Sequence, residues 1–125
     1  MVKKIVLVIL FSALVILAFM QYDFFESKGD EFIGMLDDIE REIKVQDQVH
    51  ARAKADEFIS LWMETKPKYE ALCEHDEVDK IQACVEQFSV LLDQRNPLVF
   101  TQTALLKYYY SHITDIDSFA FENIF

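Results

Sequence analysis

Residues 75–94 read HDEVDKIQACVEQFSVLLDQ. Within them Val78, Ile81, Val85, Phe88 and Leu92 recur at alternating steps of three and four, the period of one helix face, while charged and amide side chains occupy the positions between. An amphipathic helix with a partner along one side is therefore expected here. No alternation of apolar and polar residues survives beyond a few positions anywhere in the chain, so the fold class is read as all-α.

Moving outward, the same period organises the flanks. Ala51, Ala55, Phe58, Trp62, Thr65, Tyr69 and Leu72 keep phase across Lys66-Pro67, which predicts one helix kinked at the proline rather than two helices and a loop. Gln46-Asp47-Gln48 interrupts the pattern upstream, with Asp47 able to cap the helix that follows. Before it, Phe32, Leu36, Ile39 and Ile43 mark a helix over Asp30–Val45. Gly29 reads as a soft joint ahead of that helix, although a continuous helix through it fits the sequence equally well. Downstream, Asn96-Pro97 closes one helix and opens the last, whose inner face is read as Leu98, Leu105, Tyr109 and Ile113, ending near His112. At the junction between the second and third helices, Asp76 is the expected cap. Short links make neighbours antiparallel.

The first 25 residues are of another kind: 20 are apolar, against 45 of the remaining 100. Lys3 and Lys4 precede an apolar run from Ile5 to Met20, and Tyr22, Phe24 and Phe25 follow it, the order of basic flank, hydrocarbon span and interfacial aromatics. At about 1.5 Å per residue the run covers roughly 24 Å, slightly thin for a bilayer core of about 30 Å but extendable at both ends. The competing reading, a cleaved secretory signal, needs small residues before a cleavage site, and Ala18-Phe19-Met20-Gln21 does not supply them. The expected organisation is a short cytoplasmic N-terminus at 1–4, a transmembrane signal-anchor helix at 5–25 and an acidic extracytoplasmic domain at 26–125. In sum, an N-terminal transmembrane helix precedes an antiparallel bundle of about four helices.

The net charge of −10 falls on the second part, where 21 Asp and Glu oppose 10 Lys and Arg. Nucleic-acid backbones would repel it. Phosphate-cradling loops, nucleophile elbows and zinc-protease motifs are missing from the sequence, so no catalytic activity is expected. Cys73, His75, Asp76, Glu77 and Asp79 form the densest set of ligand-type residues, with His75, Asp79 and Cys73 as the metal candidates. Helix capping and the helix dipole account for the same carboxylates without a metal, and no cofactor is expected. Asp37-Asp38 and Glu40–Glu42 read as a solvated face. His50 lies among exposed charges, and His112 is placed at a helix end. Cys73 and Cys84 are close enough in sequence for a hairpin disulfide, but spacing does not specify one, and a buried thiol at Cys84 is the simpler reading. Tyr108-Tyr109-Tyr110 points rings in three directions, so Tyr110, with Phe119, Phe121 and Phe125 near the C-terminus, is a candidate contact for a partner, although folding back of these phenylalanines to close the open end of the bundle is the simpler reading.

Trp62, the His75-Asp76-Glu77 junction with Ile81 one turn later, and the closing Asn123-Ile124-Phe125 together resemble the family catalogued as domain of unknown function 4363. Gln48 and the kink at Pro67 depart from its pattern, which tends to an aromatic after the acidic turn residue and a tryptophan where Tyr69 stands. The resemblance implies a small Firmicutes protein with an N-terminal membrane helix and an acidic helical domain. It also implies a membrane protein as partner, since members tend to be encoded beside multi-pass membrane proteins. The expected function is a membrane-anchored binding or accessory module contacting the bilayer through its N-terminal helix and another membrane or envelope protein through its bundle. A ligand- or metal-responsive sensor using the His75 junction is the alternative.

Overall fold

The computed structural model describes the backbone of residues 1–124 and the side-chain surroundings of residues 1–116. It is all-helical: α1 (Val2–Lys44), α2 (Gln48–Leu72), α3 (His75–Asp93) and α4 (Val99–Ile124). α1 packs on α2 and α4, and α3 packs on the same two, so the helices form a closed up-and-down ring, with Tyr110 of α4 reaching across the centre to the rings of Phe58, Trp62 and Tyr69 on α2.

The apolar leader is not an added fifth element. α1 runs unbroken for 43 residues, its N-terminal part exposed and its C-terminal part built into the bundle. Phe25, Gly29, Phe32, Leu36 and Ile39 are its buried positions, so the stripe legible from Phe32 begins seven residues earlier, at Phe25. Gly29 is not a joint. A Cβ there would lie 3.1 Å from Thr114 Oγ1 and 3.7 Å from the Tyr110 carbonyl, so the glycine lets α4 approach α1 closely. Thr114 Oγ1 sits 3.2 Å from the Phe25 carbonyl and 3.1 Å from that of Tyr110, tying the two helices at this point.

α2 passes through Pro67 as the phase of its stripe requires. Asp47 caps it, its carboxylate accepting from the His50 N–H at 3.0 Å. α3 is capped two residues earlier than expected: Glu74 holds the N-cap position without a side-chain bond, and Asp76 lies inside the first turn. The five stripe residues quoted for this helix are all buried, joined by Cys84.

α1 and α3 end alike. Gln46 (φ 60°) and Arg95 (φ 52°) each occupy the left-handed region just past the helix. In α1 the N–H groups of Gln46 and Asp47 return to the carbonyls of Ile43 and Glu42, and in α3 those of Arg95 and Asn96 return to Leu92 and Leu91. Both are Schellman turns, built here without the usual glycine.

α4 departs most from expectation. It continues to Ile124 instead of stopping near His112, and its buried residues among those whose surroundings are described are Val99, Thr103, Leu106, Tyr110 and Ile113. The expected face was rotated by about one position: Leu98 and Leu105 are exposed, and Tyr109 is half-buried. Thr103, whose hydroxyl donates to the Phe100 carbonyl at 3.0 Å, hides the seam by placing a polar residue in the core.

The core is an aromatic cluster shared by all four helices. Phe32 stacks on Tyr110 at 4.6 Å and meets Phe58 edge-on at 5.6 Å; Trp62 packs edge-on against Tyr69 at 5.4 Å. Trp62 satisfies its indole N–H with Gln82 Oε1 at 2.9 Å, which fixes the ring.

Candidate functional site

Among the described residues, the ligand-type atoms that converge within 4.8 Å of one another belong to Glu42, Asp47 and His50, at the turn between α1 and α2. No such group forms around His75. His75, Asp76 and Asp79 are exposed and Cys73 is half-buried. The cavity of about 230 Å³ at that end is lined by Cys73, Glu74 and Glu77 with Phe25, Leu72, Ile113 and Ile116, so His75 and Asp79 lie outside it.

The Glu42 group is accounted for by the fold. Asp47 caps α2 and its second oxygen lies 2.6 Å from His50 Nδ1, while Glu42 pairs with Lys54 at 3.1 Å. The His50 backbone bond, followed by its side chain, holds the Asp47 carboxyl below its ordinary value. The other carboxylates of α1 serve similarly: Asp37 pairs with Lys107 at 2.7 Å, Glu40 pairs with the same lysine, and Asp38 with Arg41. Desolvation pulls Lys107 down, but the hydrogen bonds it donates to Asp37 and Glu40, with their charges, outweigh it and raise its pKa. Arg52 ties α2 to α3 through Ser89 and Asp93. These pairs are partly solvated and contribute register more than stability.

Cys73 and Cys84 are not joined. Cys84 is buried, its thiol directed at Gln102 Oε1 at 3.0 Å, and burial pushes its pKa to about 11. Tyr110, grouped above with the partner contacts, lies in the core at 1 % exposure; the outward ring of the triplet is Tyr108, stacked on His112. His112 accordingly sits within a helix rather than at its end. The side chains of Phe119, Phe121, Asn123, Ile124 and Phe125 lie outside the described residues. Glu77 is half-buried, and Trp62 and Ile81 are core residues.

Two features, one at each end of the bundle, carry no signature in the sequence, the first at the end farthest from the apolar leader. A cavity of about 380 Å³ opens there between the two Schellman turns, with Ile43, Leu92, Pro97, Val99 and Phe100 as its walls. Gln46, Gln48, Arg95 and Asn96 supply its polar groups. Gln48 Nε2 donates to the Leu92 carbonyl at 2.8 Å across its floor. At the opposite end, Lys68 stands 4.2 Å over the Phe24 ring, beside Met20 and Lys28.

The architecture is that of a small helical bundle whose first helix extends into an apolar segment long enough to cross a membrane by length and composition. The family described as Domain of unknown function (DUF4363) matches residues 19–124. The chain belongs to that family. No curated protein and no solved structure matches it.

Proposed function

We propose that this protein is a membrane-tethered accessory module, with Lys3, Lys4 and the N-terminus cytoplasmic, residues 5–25 in the bilayer and the acidic bundle outside. It partners another membrane or envelope protein and performs no catalysis of its own. The carrying observation is the continuity of α1: the apolar segment from Ile5 to Met20 and the core positions from Phe25 onward belong to one helix. Anchor and bundle therefore move as one body. Confinement to the bilayer raises the local concentration of the bundle near a membrane partner, which strengthens weak contacts without new ones.

The supporting surface is a row on α4. Leu105, Tyr108 and Ile116 are exposed along one side of the helix, with Leu98 just before its start, and large apolar and aromatic side chains of this kind anchor protein interfaces. A photo-crosslinking residue in place of Tyr108, in cells carrying the full chain, is expected to capture a membrane protein identifiable by mass spectrometry. The same substitution at Glu57, on the exposed side of α2, is expected to capture far less. Equal yields at both positions, or release of the chain from membranes by alkaline carbonate, would overturn the reading.

A further inference from the structure

The soluble part has twice as many acids as bases, yet three of its cations lack an ion pair among the described residues: Lys44, Lys68 and Arg95. Two of these flank the cavity between the Schellman turns. Arg95 lines it, and Lys44 Nζ lies 5.9 Å over the ring of Phe100, one of its walls. No Asp or Glu lines the cavity. The carboxylates that adjoin it in sequence are engaged elsewhere, Glu42 by Lys54, Asp47 by His50 and Asp93 by Arg52. Unpaired cations in an acid-rich domain, gathered at a cavity without acids, make a local positive site in a negative surface.

The backbone points the same way. Arg95 sits at φ 52°, a position where glycine is ordinarily favoured and where a side chain costs conformational energy. That strain is sustained at the rim of this cavity, where the guanidinium is available to a ligand.

We propose that this cavity binds a carboxylate carried on an apolar body. Arg95 supplies the paired donors, Lys44 adds a second positive charge, and the apolar walls with the amides of Gln46, Gln48 and Asn96 receive the rest. The apolar walls favour a singly charged anion over a phosphate dianion, whose desolvation costs more. Lipid headgroups are out of reach: Met20 and Lys44 are separated by about 36 Å of helix at ~1.5 Å per residue. The carboxylate therefore comes from a segment of an extramembrane protein or from a small soluble acid. The carboxylate site stands apart from the tethering reading; the exclusion of lipid headgroups alone rests on residues 5–25 spanning the bilayer.

The test uses the full chain in lipid nanodiscs, with empty nanodiscs as reference. 4-Methylpentanoate and N-acetyl-glycyl-leucine are each titrated against their primary amides, with ligand-observed NMR as the readout. At least one acid is expected to bind about tenfold more tightly than its amide, the scale of one charge-assisted contact. Preference by the peptide alone points to a protein segment, and preference by 4-methylpentanoate alone points to a small acid. R95N, whose side chain tolerates the left-handed backbone, is expected to keep the helical melting curve and lose the preference, and R95K to retain part of it. Absence of binding by both acids, equal binding of acids and amides, or a preference that survives in folded R95N would overturn the proposal.

Discussion

Burial isolates the Tyr110 hydroxyl: it has no hydrogen-bond partner among the described residues, and desolvation, with Tyr69 and Cys84 nearby, holds its pKa well above the ordinary value. An unmade bond in the core costs the desolvation of the group, so removing the hydroxyl is not expected to harm the fold. Tyr110→Phe is predicted to leave the urea midpoint unchanged or raise stability by up to about 1 kcal/mol. A loss of that size would reveal a partner such as an internal water. Cys84 gives a prediction in pH. Its folded pKa of about 11 exceeds the ordinary 9.0, so the native state holds the thiol proton more tightly. The associated stability is complete below pH 9 and is lost as pH rises toward 11. At neutral pH a thiol-disulfide reagent is expected to label Cys73 in the native chain and Cys84 only after unfolding. Three adjacent tyrosines announced in the sequence that some ring must face outward, but identical residues could not say which. That depends on the phase of α4, set by contacts with α1.

Each helix was legible to the extent that its apolar residues had a single phase. The stripe of α3 is fully legible although its cap is not, since Glu74 rather than Asp76 holds the N-cap position, and the stripe of α2 is nearly so, because Ala51 to Tyr69 repeat without competitors. α4 carries apolar residues on both sides, as in Leu105-Leu106 and Val99-Phe100, and places Thr103 inside, so its face was misassigned by one position. The turn ends were also obscured, because residues other than glycine hold the left-handed positions. Gln46→Gly is therefore predicted to stabilise the bundle by about 1 kcal/mol, read as a shift in the urea midpoint. The two glycines of α1 separate packing from propensity. Nothing lies within 4 Å of a Cβ placed at Gly34, so Gly34→Ala should gain roughly 0.5–1 kcal/mol of helix propensity. Gly29→Leu should instead lose about 1–3 kcal/mol by forcing α4 away from α1. If both substitutions moved the melting temperature in the same direction, the close approach at Gly29 would not govern the α1–α4 contact.

At the scale of the whole molecule, α1 changes character near Phe25, from an exposed apolar segment to a face built into the bundle, and the residues around that point belong to both readings. Tyr22, Phe24 and Phe25 look in sequence like an aromatic belt, yet Phe25 is buried against Tyr69 at 5.3 Å and Phe24 packs on the same ring at 5.5 Å. Composition marked the boundary between apolar leader and acidic domain but not the sharing of one helix, since a glycine within a helix reads alike as a joint and as a close contact. This sharing separates the stability of the bundle from its orientation. The described core begins at Phe25, and the most apolar window of α1 buries nothing within the bundle. Inserting Gly-Gly-Ser-Gly between Met20 and Gln21 should thus leave thermal unfolding of the bundle within about 2 °C of the parent, less than the roughly 4–8 °C that 1 kcal/mol produces in a domain of this size. The same insertion frees the bundle to rotate about its tether, so crosslinking from position 108 should fall while membrane retention persists. Loss of retention and crosslinking together would show that the insertion had damaged the anchor itself. Undiminished crosslinking would mean that the tether supplies proximity alone and that helix continuity has no part in presenting the α4 face.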